Sequence, residues 1–331
     1  MSRLTRFGNA LYTGEKSFDF IGNRTRWYLI GAAVVLLAVV VTILRGGFSF
    51  GIEFRGGSEF RVSQPPTLSE QVAIDTVNRI VGVGSNPRVS IVGGDSVRVQ
   101  TEQLTDDQTT GLRSDLAEAY GVPVEQVTSS FIGATWGQDI TRQALIGLAV
   151  FLVLVSLVMA LYFRTWKMSV AALTALAHDL ALTAGIYGVL GYEITPAAVI
   201  GLLTILGYSL YDTVVVFDKV RENTLQDGEE SRRTFAESVN LAVNQTLVRS
   251  INTSVVAVLP VGSILFIGSL LLGAGTLRDI ALALFIGMIA GTYSSIFIAA
   301  PLYVHLRENE PENQKQGRKA KAQRPVSGAV R

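Results

Sequence analysis

Six long apolar stretches that carry almost no charge constrain this chain more than any other feature. At a helical rise of about 1.5 Å per residue, roughly 20 residues cross a hydrocarbon core of about 30 Å. All six stretches are long enough, and a helix buried in a soluble protein rarely stays free of charge over such a length. We therefore predict six transmembrane helices, at residues 27–44, 143–163, 168–192, 194–217, 250–277 and 280–304.

Composition excludes several classes of function. Only 17% of the 331 residues are charged, and the mean hydropathy is +0.38, whereas soluble domains carry about 25% charged residues. The net charge of +1 gives no basis for binding nucleic acid, and the absence of cysteine excludes disulfides and thiolate chemistry. The two histidines, His178 and His305, are too few for a His-rich metal site. We predict no enzyme, no cofactor and no metal.

The distribution of Lys and Arg predicts the orientation in the membrane. Basic residues precede the first span, separate the second from the third and the fourth from the fifth, and fill the tail. Because positive charge marks the cytoplasmic side, we expect both termini in the cytoplasm of a multi-pass protein of the cytoplasmic (inner) membrane. The first span begins at residue 27, too late and too long for a cleaved signal peptide.

Residues 46–138 are predicted to form a small domain on the outer side. Periodicity and turn residues indicate strands at 58–63, 88–92, 97–101 and 124–131, with Gly93-Gly94-Asp95 as a hairpin turn. Helices are expected after two capping boxes, Thr67/Glu70 and Thr105/Gln108. The order β-α-β-β-α-β is typical of a ferredoxin-like α+β fold, and we expect it to bind a chain or a partner protein.

The remaining segments complete the predicted division of the chain. Residues 1–26 form a cytoplasmic N-terminus, 27–45 the first span, 139–305 the other five spans, and 306–331 a disordered basic tail. The cytoplasmic loop 218–248 contains a further capping box, Thr234/Glu237, followed by an amphipathic pattern. This pattern suits a helix lying in the membrane interface, and a solvated connector is the alternative.

Asp212 and Arg249 are the most informative polar residues. A carboxylate within a span costs about 2.5–3.5 kcal/mol on insertion scales, so Asp212 is a candidate for a proton-binding group. We predict that Thr204, Tyr208 and Tyr211 share its helix face, and that Arg249 in the fifth span neutralises it. The alternatives are that Asp212 joins helices as a polar contact and that Arg249 anchors its span at the headgroups.

Two further features of the spans have structural and functional interpretations. His178 and Asp179 lie in the middle of the third span, where such a pair either stabilises helix packing or relays protons. Gly287 and Gly291 form a G-x-x-x-G pattern in the sixth span, which indicates close contact with another helix.

Four segments carry a resemblance to a known family. They are the Gly51-Ile52-Glu53-Phe54-Arg55-Gly56-Gly57 motif, the run 207–223 around Asp212, the segment 249–254, and Ala177-His178-Asp179. Together with the topology, they resemble the SecF branch of the SecD/SecF family, part of the RND superfamily. Tyr211 stands where many relatives have Asn.

The resemblance implies a function and a set of partners. Proteins of this branch pair with SecD, and the two six-span halves form an RND-type bundle beside the SecYEG channel. They use the proton motive force to help unfolded secreted polypeptides finish crossing after SecA has pushed them. The essential acid and arginine of the family correspond to Asp212 and Arg249, with supporting polar residues at Tyr208, Tyr211, Thr213, Asn252, Thr253, His178 and Asp179.

The mechanism expected from this resemblance is movement of the outer domain driven by a proton. A proton on Asp212 would weaken its hold on Arg249, so that the spans rearrange and tilt the domain. The alternatives are a scaffold that stabilises the translocon without transport, and an RND-type exporter of small molecules or lipids.

Overall fold

The computed structural model describes residues 9–82, 84–92, 95–226, 233–268 and 275–322. Six helices in these ranges are long and apolar enough to cross a membrane, and a small α+β domain lies between the first two. The predicted fold class is confirmed. The helices are span 1 (Arg24–Leu44), span 2 (Ala134–Phe163), span 3 (Trp166–Leu190), span 4 (Pro196–Gln226), span 5 (Phe235–Ser263, then a π-helical turn Ile264–Gly268) and span 6 (Gly275–Ser294, a π-helical turn Ser295–Ala299, then Ala300–Arg307).

The predicted cytoplasmic loop 218–248 is largely helix. Span 4 continues to Gln226, and span 5 already begins at Phe235, where the predicted Thr234/Glu237 capping box is present. The apolar face of this segment is covered by protein, so it is not a solvated connector. Phe235, Val239 and Ala242 are buried in the main core, because they pack with the ends of spans 4 and 6.

The small domain between spans 1 and 2, called the outer domain after its predicted location, has the split βαβ arrangement expected of a ferredoxin-like fold. Its four strands are hydrogen-bonded in the order β3-β4-β2-β5, all antiparallel, and two helices cover one face. The elements of this region are β1 (Ser49–Phe50), α1 (Ile52–Arg55), β2 (Gly57–Ser63), α2 (Glu70–Val81), β3 (Arg88–Val92), β4 (Ser96–Thr101), α3 (Asp106–Tyr120) and β5 (Val127–Ile132).

The two capping boxes predicted in this domain have different outcomes. The Thr105/Gln108 box is present at the start of α3. The prediction of a Thr67/Glu70 box is wrong, because the residue before α2 is Ser69 and its side chain makes no capping hydrogen bond. The Ser69 carbonyl instead accepts a hydrogen bond from Tyr120 Oη at 2.5 Å. Of the predicted hairpin turn, residues 93 and 94 lie outside the described residues.

The domain is joined to the helix bundle at the loop between spans 3 and 4. There β1 pairs in parallel with β6 (Glu193–Ile194), and the Gly51 N–H donates to the Ile194 carbonyl at 3.0 Å. Arg98 of β4 forms an ion pair with Glu193 at 2.9 Å. Backbone pairing and an ion pair therefore hold the domain against the loop that joins spans 3 and 4.

The tail differs from the prediction of disorder over 306–331. A helix, α4, extends over Pro311–Ala322, and residues 323–331 lie outside the described residues. Ion pairs fix its start, because Glu310 lies 2.8 Å from Lys167 Nζ and 2.7 Å from Arg307 Nη2. Burial of Glu310 opposes ionisation, but these two cations still lower the pKa of its carboxyl.

Candidate functional site

Asp212 lies at the meeting point of three spans. Its side chain is buried, with 6% exposure. One carboxyl oxygen accepts a hydrogen bond from Ser250 Oγ of span 5 at 2.7 Å, and the other accepts one from Ser295 Oγ of span 6 at 2.5 Å. The carboxyl of span 4 is thus held by hydroxyl groups from both neighbouring helices.

Glycine allows spans 4 and 6 to approach closely enough for these contacts. A Cβ atom on Gly287 would overlap the side chain of Ile205, and one on Gly291 would lie 3.0 Å from Ser209 Cβ. Gly201 of span 4 packs in the same way against Ala283 of span 6. The close contact predicted from the G-x-x-x-G pattern is therefore present.

Arg249 is not the partner of Asp212 in this structure, contrary to the prediction. Its guanidinium is exposed and donates a long hydrogen bond, 3.5 Å, to the Tyr211 hydroxyl. The reason is helical geometry, since consecutive residues point about 100° apart. Asp212 and Ser250 face each other inside the bundle, so their neighbours Tyr211 and Arg249 face outward.

The other predicted polar residues divide between these two faces. Thr204 and Tyr211 are exposed and point away from Asp212, whereas Tyr208 is half-buried and its hydroxyl is buried with no hydrogen-bond partner among the described residues. Asn252 and Thr253 continue the outward face of Arg249. Thr213 is buried, and its hydroxyl donates to the Ser209 carbonyl of its own helix at 3.0 Å.

A second buried carboxyl, Asp179 of span 3, lies beside the first site. It has 0% exposure, and its Oδ2 accepts hydrogen bonds from Ser209 Oγ at 2.6 Å and Ser294 Oγ at 2.7 Å. Its Oδ1 lies 3.2 Å from His178 Nδ1. The structure therefore places Asp179, Asp212 and four serines within one contiguous polar layer of spans 3 to 6.

The serines are the site residues that the sequence interpretation missed. Ser209, Ser250, Ser294 and Ser295 are small and uncharged, so nothing in their spacing distinguishes them from serines that bond to their own helix. The usable signal is position: Ser209 precedes Asp212 by one helical turn, and Ser294-Ser295 is a polar pair inside an apolar span. The π-helical turn begins at Ser295, and such turns are frequent at functional sites.

The Gly51–Gly57 motif lies where the outer domain meets the spans, apart from the buried carboxyls. Gly56 and Gly57 have φ values of +74° and +139°, and a Cβ on Gly57 would collide with the Thr101 carbonyl, so both positions require glycine. Arg55 is exposed. Burial raises the pKa of Glu53, and one of its oxygens has no hydrogen-bond partner among the described residues.

Comparison with known proteins is consistent with this arrangement. A family model described as protein export membrane protein SecD/SecF, C-terminal, matches residues 113–309. The chain is 44% identical to the protein translocase subunit SecF of Streptomyces coelicolor, over 99% of this chain and 87% of that protein. The chain belongs to the SecD/SecF family. A SecF of Mycobacterium tuberculosis is 48% identical, over 91% of this chain and 70% of that protein.

Solved structures of the SecD/SecF family share the fold. The crystal structure of SecDF from Thermus thermophilus, a translocon-associated membrane protein, superposes with a TM-score of 0.77 at 31% identity. The match covers 88% of this chain and 39% of that one. SecDF in its super-membrane-facing form gives a TM-score of 0.60 at 30% identity, over 93% of this chain and 40% of that one.

Proposed function

We propose that this chain is the SecF subunit of an accessory complex of the Sec protein translocase. It pairs with SecD and uses the proton motive force to help unfolded secreted polypeptides complete their passage through SecYEG after SecA has acted. It lies in the cytoplasmic membrane with both termini inside the cell, and it catalyses no covalent reaction. The SecF relatives, and the longer SecDF chain that this one matches over 39% of its length, support this assignment.

The observation that carries the proposal is the hydroxyl environment of Asp212. Both of its hydrogen-bond partners in the described structure are serines. A hydroxyl donates to a carboxylate and accepts from a carboxylic acid equally well. Ser250 and Ser295 therefore hold Asp212 in either protonation state without exchanging partners, which is what a carboxyl that gains and loses a proton in each cycle requires.

The outward face of spans 4 and 5 supports pairing with a second helix bundle. It exposes Arg249, Tyr211, Thr204 and Asn252 in segments that are otherwise apolar. A charged side chain facing lipid is costly, and charges within membranes nearly always face protein or a water-filled cavity. SecD covers this face in the proposed complex and supplies the other side of the proton path.

The coupling step follows from the position of Arg249 next to Ser250. Loss of the Asp212 proton leaves a negative charge on the carboxyl that Ser250 binds, and attraction between this charge and the neighbouring guanidinium draws span 5 closer to span 4. One charge moved through 100 mV is worth about 2.3 kcal/mol. That energy shifts a two-state equilibrium roughly fifty-fold, enough to bias the position of the outer domain.

The test is export into inverted membrane vesicles with and without a proton gradient. Asp212→Asn keeps the shape of the side chain and removes its proton exchange, so we expect the complex to assemble and the gradient-dependent stimulation of export to be lost. Asp218→Asn is the matched control, because Asp218 is an exposed acid on the same helix. Stimulation at the wild-type level in Asp212→Asn would refute the proposal.

A further inference from the structure

We propose that Asp179 binds a second proton in the transport cycle, and that the consecutive serines Ser294 and Ser295 couple its protonation to that of Asp212. The inference rests on the proposed function and extends it to a second carboxyl. It starts from the observation that both carboxyls accept a hydrogen bond from a serine of span 6. Ser294 donates to Oδ2 of Asp179 at 2.7 Å, and Ser295 donates to Oδ2 of Asp212 at 2.5 Å.

The two carboxyls also share span 4. Ser209, which donates to Asp179, lies one helical turn before Asp212 on the same helix. Asp179 therefore receives hydroxyl groups from spans 4 and 6, and Asp212 receives them from spans 5 and 6. A shift of span 6 relative to the others changes both carboxyl environments together.

Each serine of span 6 has a second acceptor within reach. Ser294 Oγ lies 3.3 Å from the Gly291 carbonyl, and Ser295 Oγ lies 3.3 Å from the Thr292 carbonyl. When a proton binds a carboxylate oxygen, the new O–H donates to the serine oxygen, and the serine hydrogen turns to the backbone carbonyl. The reverse rotation accompanies release of the proton, and no other bond forms or breaks.

The coupling between the two sites comes from the backbone that the serines share. Ser294 is the last residue of the α-helical part of span 6, and Ser295 is the first residue of the π-helical turn. When the hydroxyl of one serine forms a shorter hydrogen bond to its backbone carbonyl, the peptide bond between Ser294 and Ser295 moves. The hydrogen bond of the other serine to its carboxyl changes as a result.

The titratable groups around Asp179 are few. His178 lies next to it on span 3, Asp212 lies on span 4, and Tyr293 on span 6 places its ring 5.9 Å from the His178 ring. His178 Nε2 is buried with no hydrogen-bond partner among the described residues, facing Gly31 of span 1. No Lys or Arg is among the hydrogen-bond partners of Asp179 in the described part of the chain.

Infrared difference spectroscopy of the purified complex with SecD, titrated with pH, tests the inference directly. We expect two carboxylic-acid carbonyl bands to titrate in the wild type, one absent in Asp212→Asn and the other absent in Asp179→Asn. Ser294→Ala should shift both bands. Ser263→Ala is the control, because this exposed serine of span 5 donates to the Leu259 carbonyl of its own helix and to neither carboxyl. A wild-type spectrum with one titrating band, or bands unchanged by Asp179→Asn, would overturn the inference.

Vesicle export adds a functional measurement that separates this inference from the proposed function. We expect Asp179→Asn to reduce gradient-dependent stimulation at least tenfold and Ser294→Ala to displace its pH profile. A wild-type profile in both variants contradicts the role of Asp179 and leaves that of Asp212 intact. If Asp179→Asn does not assemble, the wild-type spectrum and Ser294→Ala decide the question.

Discussion

Around Asp212, consecutive residues of spans 4 and 5 place their side chains alternately inside the bundle and on its surface. The carboxyl and Ser250 face inward, while Tyr211 and Arg249, one residue away from each, meet at the outer surface. Because a helix turns about 100° per residue, Arg249 places a cation on the face of span 5 next to the one from which Ser250 binds the acid. In the structure that cation is bound by the outward tyrosine hydroxyl and not by the acid.

Glu53 gives a prediction of pH dependence at the junction with the outer domain. Burial raises the pKa of this carboxyl above its usual 4.5, and the nearby Glu59 adds to the effect. The folded protein holds this proton more tightly than the unfolded chain, so its stability falls as pH rises from 4.5 through the folded pKa. Glu53→Gln should therefore raise the unfolding midpoint temperature at neutral pH.

The same substitution should have little effect below the usual glutamate pKa, because Glu53 is then protonated in both folded and unfolded states. Thermal unfolding of the purified protein in detergent, at neutral and acidic pH, measures the difference. Glu125→Gln serves as the control, since Glu125 is an exposed carboxyl of the same domain. Equal midpoints for wild type and Glu53→Gln at neutral pH would show that ionisation of the buried carboxyl does not destabilise the folded protein.

Packing between spans 4 and 6 gives a prediction at the level of helices. A methyl group at Gly287 overlaps Ile205, and overpacking of this kind costs about 1–3 kcal/mol. Gly287→Ala should therefore lower the unfolding midpoint. It should also weaken gradient-dependent export, because the serines of span 6 are displaced from both carboxyls.

Gly207→Ala is the matched variant, on the outward face of span 4. No atom lies within 4 Å of a Cβ at this position, and alanine favours the helix by about 0.5–1 kcal/mol. The isolated chain should be at least as stable as the wild type, whereas assembly with SecD should weaken if that surface is covered. Equal unfolding midpoints for Gly287→Ala and Gly207→Ala would contradict the packing argument.

The existence of each helix could be predicted from the sequence. Which side of each helix faces its neighbours could not. The six spans follow from hydropathy, and the Thr105 and Thr234 caps follow from residue spacing. The pairing of Asp212 with Arg249 failed because facing depends on how spans 4 and 5 rotate against each other. The cap at Thr67 failed because the tertiary contact from Tyr120 to the Ser69 carbonyl fixes the start of α2.

The molecule as a whole joins a small sheet domain to the bundle at two places, where α1 packs against Gly137 of span 2 and where β1 pairs with β6. The β1–β6 pair has two residues in each strand, and the Arg98–Glu193 ion pair lies beside it, with Gln100 also donating to Glu193 at 3.3 Å. Short pairing and one partly exposed ion pair contribute little stability. The β1–β6 contact can therefore open at low energetic cost while α1 stays against span 2.

Locking this contact tests whether the domain must move for proton-driven export. The chain has no cysteine, so Phe50→Cys combined with Ile194→Cys introduces one disulfide across the β1–β6 pair and leaves Glu193 intact. Adjacent strands lie about 4.8 Å apart, within the range that a disulfide spans. Oxidation should abolish gradient-dependent stimulation of export, and a reductant should restore it.

A cross-link inside the domain separates loss of movement from the effect of oxidation itself. Arg61→Cys combined with Thr128→Cys joins β2 to β5, which are paired at these residues, and leaves the contact with the spans free. This variant should export normally under oxidising conditions. In the proposed function the proton sites lie within the spans and the polypeptide emerges outside, so energy reaches the polypeptide only if the domain changes position. Full stimulation with the β1–β6 disulfide closed would therefore exclude opening of this contact from the coupling mechanism.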